Sequence, residues 1–102
     1  MKVREAKLSD LKNLSVLFNS YRMFYGKKFD LKVAEEFLRS RIKKKDSKIF
    51  VCDFNNELSG FVQLYPLFSS TRVSKYWLLN DLYVDINKRG KGYSKLLIER
   101  SK

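Results

Sequence analysis

The spacing of apolar residues changes from helical to strand-like in the middle of this chain, and that change constrains the fold more than any other feature. Between residues 11 and 42 apolar residues recur every three or four positions, which predicts two amphipathic helices. Later they alternate or run continuously, which predicts three strands, at 49–54, 58–67 and 76–85. A short alternation at 3–8 predicts an opening strand, and helical spacing returns at 93–102. The order β-α-α-β-β-β-α predicts an α+β fold with a mainly antiparallel sheet.

Turn-forming residues mark where these elements begin and end. Ser9 is predicted to cap the first helix and Gly26 to end it, and Asp30 is predicted to cap the second helix. Polar residues at 55–57 and 69–71 predict the connections between strands. The third long strand is the most continuously apolar, so we expect it in the centre of the sheet.

Composition excludes several classes of protein. The chain has 102 residues, 44% of them hydrophobic, which predicts a single domain over 1–102. It contains no histidine and one cysteine, Cys52, so a disulfide framework, a Cys/His zinc site and a histidine-based triad are excluded, and no metal is expected. Cys52 lies in an apolar strand and is predicted to be an inert buried thiol. The sequence contains neither a membrane-length apolar run nor a signal-peptide pattern, so we expect a cytoplasmic protein.

The net charge of +11 favours anionic partners, namely nucleic acid, an acidic membrane face or a phosphorylated small molecule. The densest basic run, 39–48, lies at the end of the second predicted helix. A nucleic-acid surface needs such a cluster on one face together with exposed aromatic residues. Phe37 and Ile42 lie instead at core spacing, so a solvated helix end is favoured and nucleic acid is the least favoured partner.

The loop 87–92 lies between the last predicted strand and the last helix, and it contains the motif Arg89-Gly90-Lys91-Gly92. In such a loop, backbone amides converge on an anion at the positive end of the helix dipole, and the basic side chains suit a pyrophosphate. The spacing matches neither the P-loop nor the dinucleotide fingerprint. The alternative is that both glycines only permit a sharp turn among solvated charges.

The segment 79–97 resembles the acetyl-CoA-binding core of the GNAT superfamily of N-acetyltransferases, a strand followed by Arg/Gln-x-x-Gly-x-Gly/Ala and a helix. Arg89 occupies the first position of that motif and Gly92 the second, whereas Ser94 replaces the usual final Gly or Ala. The upstream order of elements is also similar to the family. The resemblance covers essentially the whole chain.

This resemblance implies transfer of an acetyl group from acetyl-CoA to a primary amine of a small molecule or protein. It implies that the backbone of Leu82, Tyr83 and Val84 pairs with the pantetheine arm like an added strand. It also implies that the pyrophosphate is held by the loop, namely by Arg89, Gly90, Lys91, Gly92, Tyr93 and Ser94. In relatives the first helix and the following loop, here 21–29, line the acceptor pocket.

The catalytic position departs from the family pattern. The residue that is commonly Glu in relatives is Asn80 here, and an amide cannot take a proton. The role of base then passes to Asp81, to a water chain or to no group. For Asp81 the favoured alternative is a solvated or hydrogen-bonded strand carboxylate without a catalytic role. The alternative functions are therefore a catalytically inactive CoA- or anion-binding module and, less favoured, a basic nucleic-acid-binding domain.

Relatives in this family continue beyond the cofactor-binding helix into further strands and another helix. We therefore expect the domain at 1–102 to lack the C-terminal strands and helix of the family, including the tyrosine that often protonates the departing thiolate. The strand 76–85 would then have an open edge, and open strand edges recruit a second chain. On this basis we expect a homodimer.

Overall fold

The chain forms a four-stranded antiparallel sheet with helices on both faces. A computed structural model describes residues 2–55, 57–69 and 74–101. The predicted α+β order is confirmed, with β1 at Lys2–Glu5, α1 at Leu11–Phe24, α2 at Leu31–Lys44, β2 at Lys48–Phe54, β3 at Glu57–Ser69, β4 at Ser74–Val84 and α3 at Tyr93–Ser101. The strand order is β1-β2-β3-β4, and each neighbouring pair is antiparallel.

The prediction that Ser9 caps the first helix is wrong. Residues Leu8–Asp10 form a 3₁₀ turn, and α1 begins at Leu11. The carboxylate of Asp10 organises this turn, because it accepts a hydrogen bond from the Lys7 amide at 2.7 Å and pairs with Arg4 of β1 at 2.7 Å. Arg4 also pairs with Asp53 of β2 at 3.0 Å, so one guanidinium ties the turn to two strands.

The other predicted helix boundaries are confirmed. Gly26 follows the end of α1 with a φ of +85°, and its amide donates to the Met23 carbonyl at 2.9 Å. The carboxylate of Asp30 accepts a hydrogen bond from the Val33 amide at 3.1 Å and so caps α2.

The core lies on both faces of the sheet. On one face α1 and α2 pack against β2 and β3, around fully buried Leu14, Leu38 and Phe61. On the other face Leu97 of α3 packs with Cys52 and its apolar neighbours on the strands. The prediction that Cys52 is a buried thiol is confirmed, and burial raises its pKa to about 11.

The expectation that β4 is central is wrong within the part of the chain that the structure describes. There β3 pairs with β2 on one side and β4 on the other, and β4 lies at the edge. Leu78 and Leu79 of β4 are accordingly 44% and 39% exposed, although their apolar run suggests burial on both faces. The residues Asn56, Ser70 and Thr71 of the predicted connections lie outside the described residues. Within the described ranges, no helix is long and apolar enough to cross a membrane.

Candidate active site

A cavity of about 390 Å³ opens where β4 ends and α3 begins. Four parts of the chain form its wall: the end of β4, the loop that follows it, the start of α3, and the end of α1. The lining residues are Tyr21, Phe24, Tyr25, Leu82, Tyr83, Val84, Lys88, Arg89, Gly90, Gly92, Tyr93 and Ser94. The cavity therefore brings together the residues predicted to bind the cofactor, with the exception of Lys91, which lines a separate cavity of about 170 Å³ beside Ser59 and Glu57.

The glycine loop and the start of α3 line this cavity. Gly90 and Gly92 have φ angles of +83° and +78°, a region that side-chain-bearing residues rarely adopt. A Cβ on either residue would meet nothing within 4 Å, so backbone conformation, not crowding, requires glycine in this structure. The Leu96 amide donates to the Gly92 carbonyl at 3.2 Å, which leaves the amides of Tyr93 and Ser94 ahead of the hydrogen-bond ladder of α3. Such a helix start favours an anion.

The end of β4 presents an open strand edge to the same cavity. The Asp85 amide donates to the Ser59 carbonyl of β3 at 2.7 Å. Because backbone groups alternate in direction along an antiparallel strand, those of Tyr83 point toward β3 and those of Leu82 and Val84 point away from it. The outward groups of Leu82 and Val84 can therefore pair with an extended ligand.

Arg89 lies across this edge. Its Nε donates to the Val84 carbonyl at 2.9 Å. Its guanidinium carbon lies 5.3 Å from the ring centre of Tyr83 and 5.5 Å from that of Phe24. The side chain thus contacts two aromatic residues of the cavity wall, one from β4 and one from α1.

A bulge in β4 lies next to the cavity. Gln63 of β3 faces Asp81, whereas the next residue, Leu64, faces Leu79, so Asn80 is the extra residue on β4. Asn80 is exposed, and its amide donates to the Asp81 carboxylate at 3.1 Å. The two residues predicted for catalysis are therefore adjacent and hydrogen-bonded, but neither lines the cavity directly.

Asp81 is a buried carboxylate held by neutral donors. It is 7% exposed, and besides Asn80 it accepts hydrogen bonds from the Tyr21 hydroxyl at 2.8 Å and the Gln63 amide at 2.9 Å. No lysine or arginine of residues 2–55, 57–69 and 74–101 forms an ion pair with it. Because a buried charge is costly without a partner, this carboxylate is suited to receive a cation.

Tyr21 connects Asp81 to the cavity. Its ring lines the cavity and its hydroxyl contacts the carboxylate. Burial and the hydrogen bond to Asp81 raise the pKa of Tyr21 above its usual value of 10. Burial and the charge of Asp81 also raise the pKa of Tyr65, to about 12. Tyr21 is therefore protonated at neutral pH and is the donor to Asp81.

Gln63 is the site residue that sequence reasoning missed. It is fully buried, accepts a hydrogen bond from Ser47 at 3.0 Å and donates to Asp81. One signal in the sequence could have found it. Gln63 is the single amide side chain in a largely apolar strand, and it shares a face of that strand with Phe61. In the described part of the chain, no group of three His, Cys, Asp or Glu side chains is placed to hold a metal ion.

Comparison with known proteins identifies a family and related chains. Residues 14–102 match the model of the acetyltransferase (GNAT) family. The chain is 42% identical over all 102 residues to the uncharacterized N-acetyltransferase YhfO of Bacillus subtilis (strain 168) and spans 68% of that protein. It is 34% identical over 85 residues to a protein of Haemophilus influenzae (strain ATCC 51907 / DSM 11121 / KW20 / Rd) named probable acetyltransferase, with coverage of 82% of this chain and 58% of that protein.

The fold is similar to that of a crystal structure described as a probable acetyltransferase. The TM-score is 0.91 at 36% sequence identity. The similarity covers 98% of this chain and 68% of that chain.

Proposed function

Because the chain belongs to the acetyltransferase (GNAT) family, whose members use acetyl-CoA for acetylation, we propose that it transfers the acetyl group of acetyl-CoA to a primary amine. The observation that carries this proposal is the continuity of the cavity wall. The outward-facing backbone of β4 and the amides of the glycine loop border one space of about 390 Å³. An extended arm that ends in a pyrophosphate matches that sequence of contacts.

In this proposal the residues bind the cofactor as follows. The outward backbone groups of Leu82 and Val84 pair with the pantetheine arm. The amides from Arg89 to Ser94 hold the pyrophosphate at the start of α3, and Arg89 and Lys88 supply positive charge there. Ser94 is small enough to keep its own amide accessible. Lys91 contributes its amide and its charge from the other side of the loop, since its side chain borders the separate cavity.

Asp81 is the proposed base. It takes a proton from the acceptor ammonium, directly or through the Tyr21 hydroxyl, which passes its own proton to the carboxylate as it receives one. The neutral amine then attacks the thioester carbonyl, so a C–N bond forms and the C–S bond breaks. The CoA thiolate leaves and takes up the second proton that the attacking nitrogen releases as the amide forms, and Asp81 returns the first proton to solvent. Asn80 and Gln63 hold the carboxylate in place by hydrogen bonds of 3.1 and 2.9 Å.

A catalytically inactive CoA-binding module is the second candidate, favoured by two observations. The family's usual carboxylate position holds Asn80, and Asp81 is enclosed by three donors. Turnover separates the two candidates, because both predict cofactor binding and only the first predicts acetylated amine.

Calorimetric titration with acetyl-CoA tests the shared part of the proposal. We expect saturable one-to-one binding and a rise in melting temperature with acetyl-CoA concentration. A DNA duplex serves as the comparison, because a protein that binds anions only through its positive charge would bind the duplex as well. Stabilisation by the duplex and none by acetyl-CoA would contradict the proposal and favour the basic-surface alternative.

The homodimer and the cytoplasmic location stay predictions. Support for the dimer comes from exposed Leu78 and Leu79 on the edge strand, where unpaired backbone groups and apolar side chains favour association. Sedimentation at low micromolar concentration and moderate salt measures it. A folded monomer under those conditions would overturn the dimer without affecting the proposal on acetyl transfer.

A further inference from the structure

The guanidinium of Arg89 lies against two aromatic rings, those of Phe24 and Tyr83. The guanidinium carbon of Arg89 lies 5.5 Å from the centre of the Phe24 ring and 5.3 Å from that of Tyr83. Both distances lie within the range in which a cation is attracted to an aromatic face. These two rings come from α1 and β4, so the fold, and not one local segment, creates the pair.

The aromatic wall continues from this pair toward the buried carboxylate. Tyr83 lies 6.0 Å from Tyr21 between ring centres, and Tyr21 donates to Asp81 at 2.8 Å. One end of this wall therefore holds a cation, and the other end holds a carboxylate that has no cationic partner among the described residues. The rings of Tyr83 and Tyr21 thus connect two positions that favour positive charge: the position of the Arg89 guanidinium and the Asp81 carboxylate.

Arg89 cannot stay in this position when the cofactor is bound as proposed. Its Nε donates a hydrogen bond to the Val84 carbonyl. That carbonyl is one of the outward strand groups with which the pantetheine arm would pair. Its guanidinium would also gain a charged partner by turning to the pyrophosphate, and charge-assisted hydrogen bonds are stronger than contacts with rings. Binding of acetyl-CoA would therefore vacate the ring pair.

We propose, on the basis of the function proposed above, that Phe24 and Tyr83 bind a second cationic group of the acceptor, and that Arg89 fills this subsite until acetyl-CoA displaces it. The acceptor class is then a diamine or a guanidinium-bearing amine, with its reacting nitrogen directed to Tyr21 and, through its hydroxyl, to Asp81, and with its distal cation on the rings. The net charge of +11 disfavours such acceptors at long range, whereas the rings and the carboxylate favour them locally.

The first test leaves the cofactor out. Removal of the resident guanidinium in Arg89→Ala should open the ring pair, so 1,4-diaminobutane should bind this variant about two- to fivefold more tightly than wild type. Lys12→Ala removes one positive charge from an exposed position on α1 and should leave the affinity unchanged. Equal affinities in Arg89→Ala and wild type, or an equal gain in Lys12→Ala, would overturn the proposal.

The second test uses protein saturated with CoA and compares 1,4-diaminobutane with pentylamine, which has the same number of heavy atoms and no distal charge. Wild type should prefer the diamine by about two- to fivefold, and Phe24→Leu should abolish the preference while pentylamine binds as before. Phe37→Leu is the matched control, since the Arg41 guanidinium carbon lies 5.1 Å from the centre of the Phe37 ring and Phe37 lies outside the cavity. No preference in wild type, or a preference retained in Phe24→Leu, would overturn the proposal.

Failure of the two proposals can be told apart. If CoA does not bind wild-type protein, the proposed acetyl transfer is wrong, and the comparison of Arg89→Ala with Lys12→Ala still decides whether the rings bind a cation. If CoA binds and the diamine shows no preference for the rings, only the second-cation subsite is wrong.

Discussion

The Tyr21 hydroxyl donates a hydrogen bond to the Asp81 carboxylate at 2.8 Å across a separation of 60 residues. This bond joins α1 to the bulged part of β4. It also places the buried carboxylate one side chain away from the cavity that the glycine loop borders. The proposed proton path and the aromatic wall of the acceptor site both depend on this contact.

Asp81→Asn should lower the rate of amine acetylation by about 10²- to 10⁴-fold at neutral pH, because the base is lost. The deficit should shrink at high pH, where the free amine needs no base. Rates measured from pH 6 to 10, together with the dissociation constant of CoA, check this prediction. Asp53→Asn is the control, since Asp53 pairs with Arg4 away from the cavity. Unchanged turnover in Asp81→Asn would return Asp81 to a structural role.

Gly92→Val should abolish CoA binding, because valine is strained at a φ of +78° and the loop amides would move. Gly26→Val is a matched control, since Gly26 has a φ of +85° and also has open space around its Cβ position. Both variants should lose similar stability, and only Gly92→Val should lose the shift in melting temperature on addition of CoA. An equal loss of that shift in both variants would show that general destabilisation, and not loop geometry, accounts for the effect.

The ion pair of Asp10 with Arg4 should make stability depend on pH in the acid range. The Arg4 guanidinium holds the pKa of Asp10 below its usual value of 3.8. The contribution of this ion pair to the free energy of unfolding is therefore complete above pH 3.8. It is lost as the pH falls toward the lower pKa that Asp10 has in the folded state. The difference in unfolding free energy between wild type and Asp10→Asn should shrink from pH 6 to pH 3 in urea titrations.

An exposed pair provides the control for this pH dependence. Glu35 pairs with Arg39 one helical turn away, and the two side chains are 38% and 44% exposed. Glu35→Gln should therefore change stability by at most about 0.5 kcal/mol at any pH. A pH-independent difference for Asp10→Asn would contradict the assigned role of its ion pair.

Phe61→Ala should destabilise the protein by about 3–5 kcal/mol, because it leaves a cavity in the centre of the core. Phe61 is fully buried and packs edge-on against Phe18 at 5.9 Å and Tyr21 at 5.6 Å. Phe29→Ala removes a ring that is 69% exposed and should cost less than about 0.5 kcal/mol. Denaturant midpoints measure both, and similar losses would contradict the assigned core.

Local features of the fold could be predicted from the sequence, and features set by distant residues could not. Asp30 and Gly26 act within one turn of helix, so their roles as cap and terminator follow from neighbouring residues. Ser9 loses its predicted role because Asp10 pairs with Arg4 on a strand. The edge position of β4 depends on the whole sheet order, which apolar runs do not encode.

The candidate site divides in the same way. The glycine loop is a contiguous motif, and its residues line the same cavity as the end of β4, apart from Lys91. The network around Asp81 needs partners at separations of 18 and 60 residues, namely Gln63 and Tyr21. The aromatic contact of Arg89 with Phe24 likewise depends on how α1 packs against the sheet.

The most direct test of the account mixes the protein with acetyl-CoA labelled in the acetyl group and with 1,4-diaminobutane, and then measures free CoA thiol and labelled amide by mass spectrometry. We expect equal amounts of thiol and N-acetylated amine, both strongly reduced in Asp81→Asn. Absence of acetylated amine across a panel of primary amines, while CoA still binds, would contradict it and leave the inactive cofactor-binding module as the function.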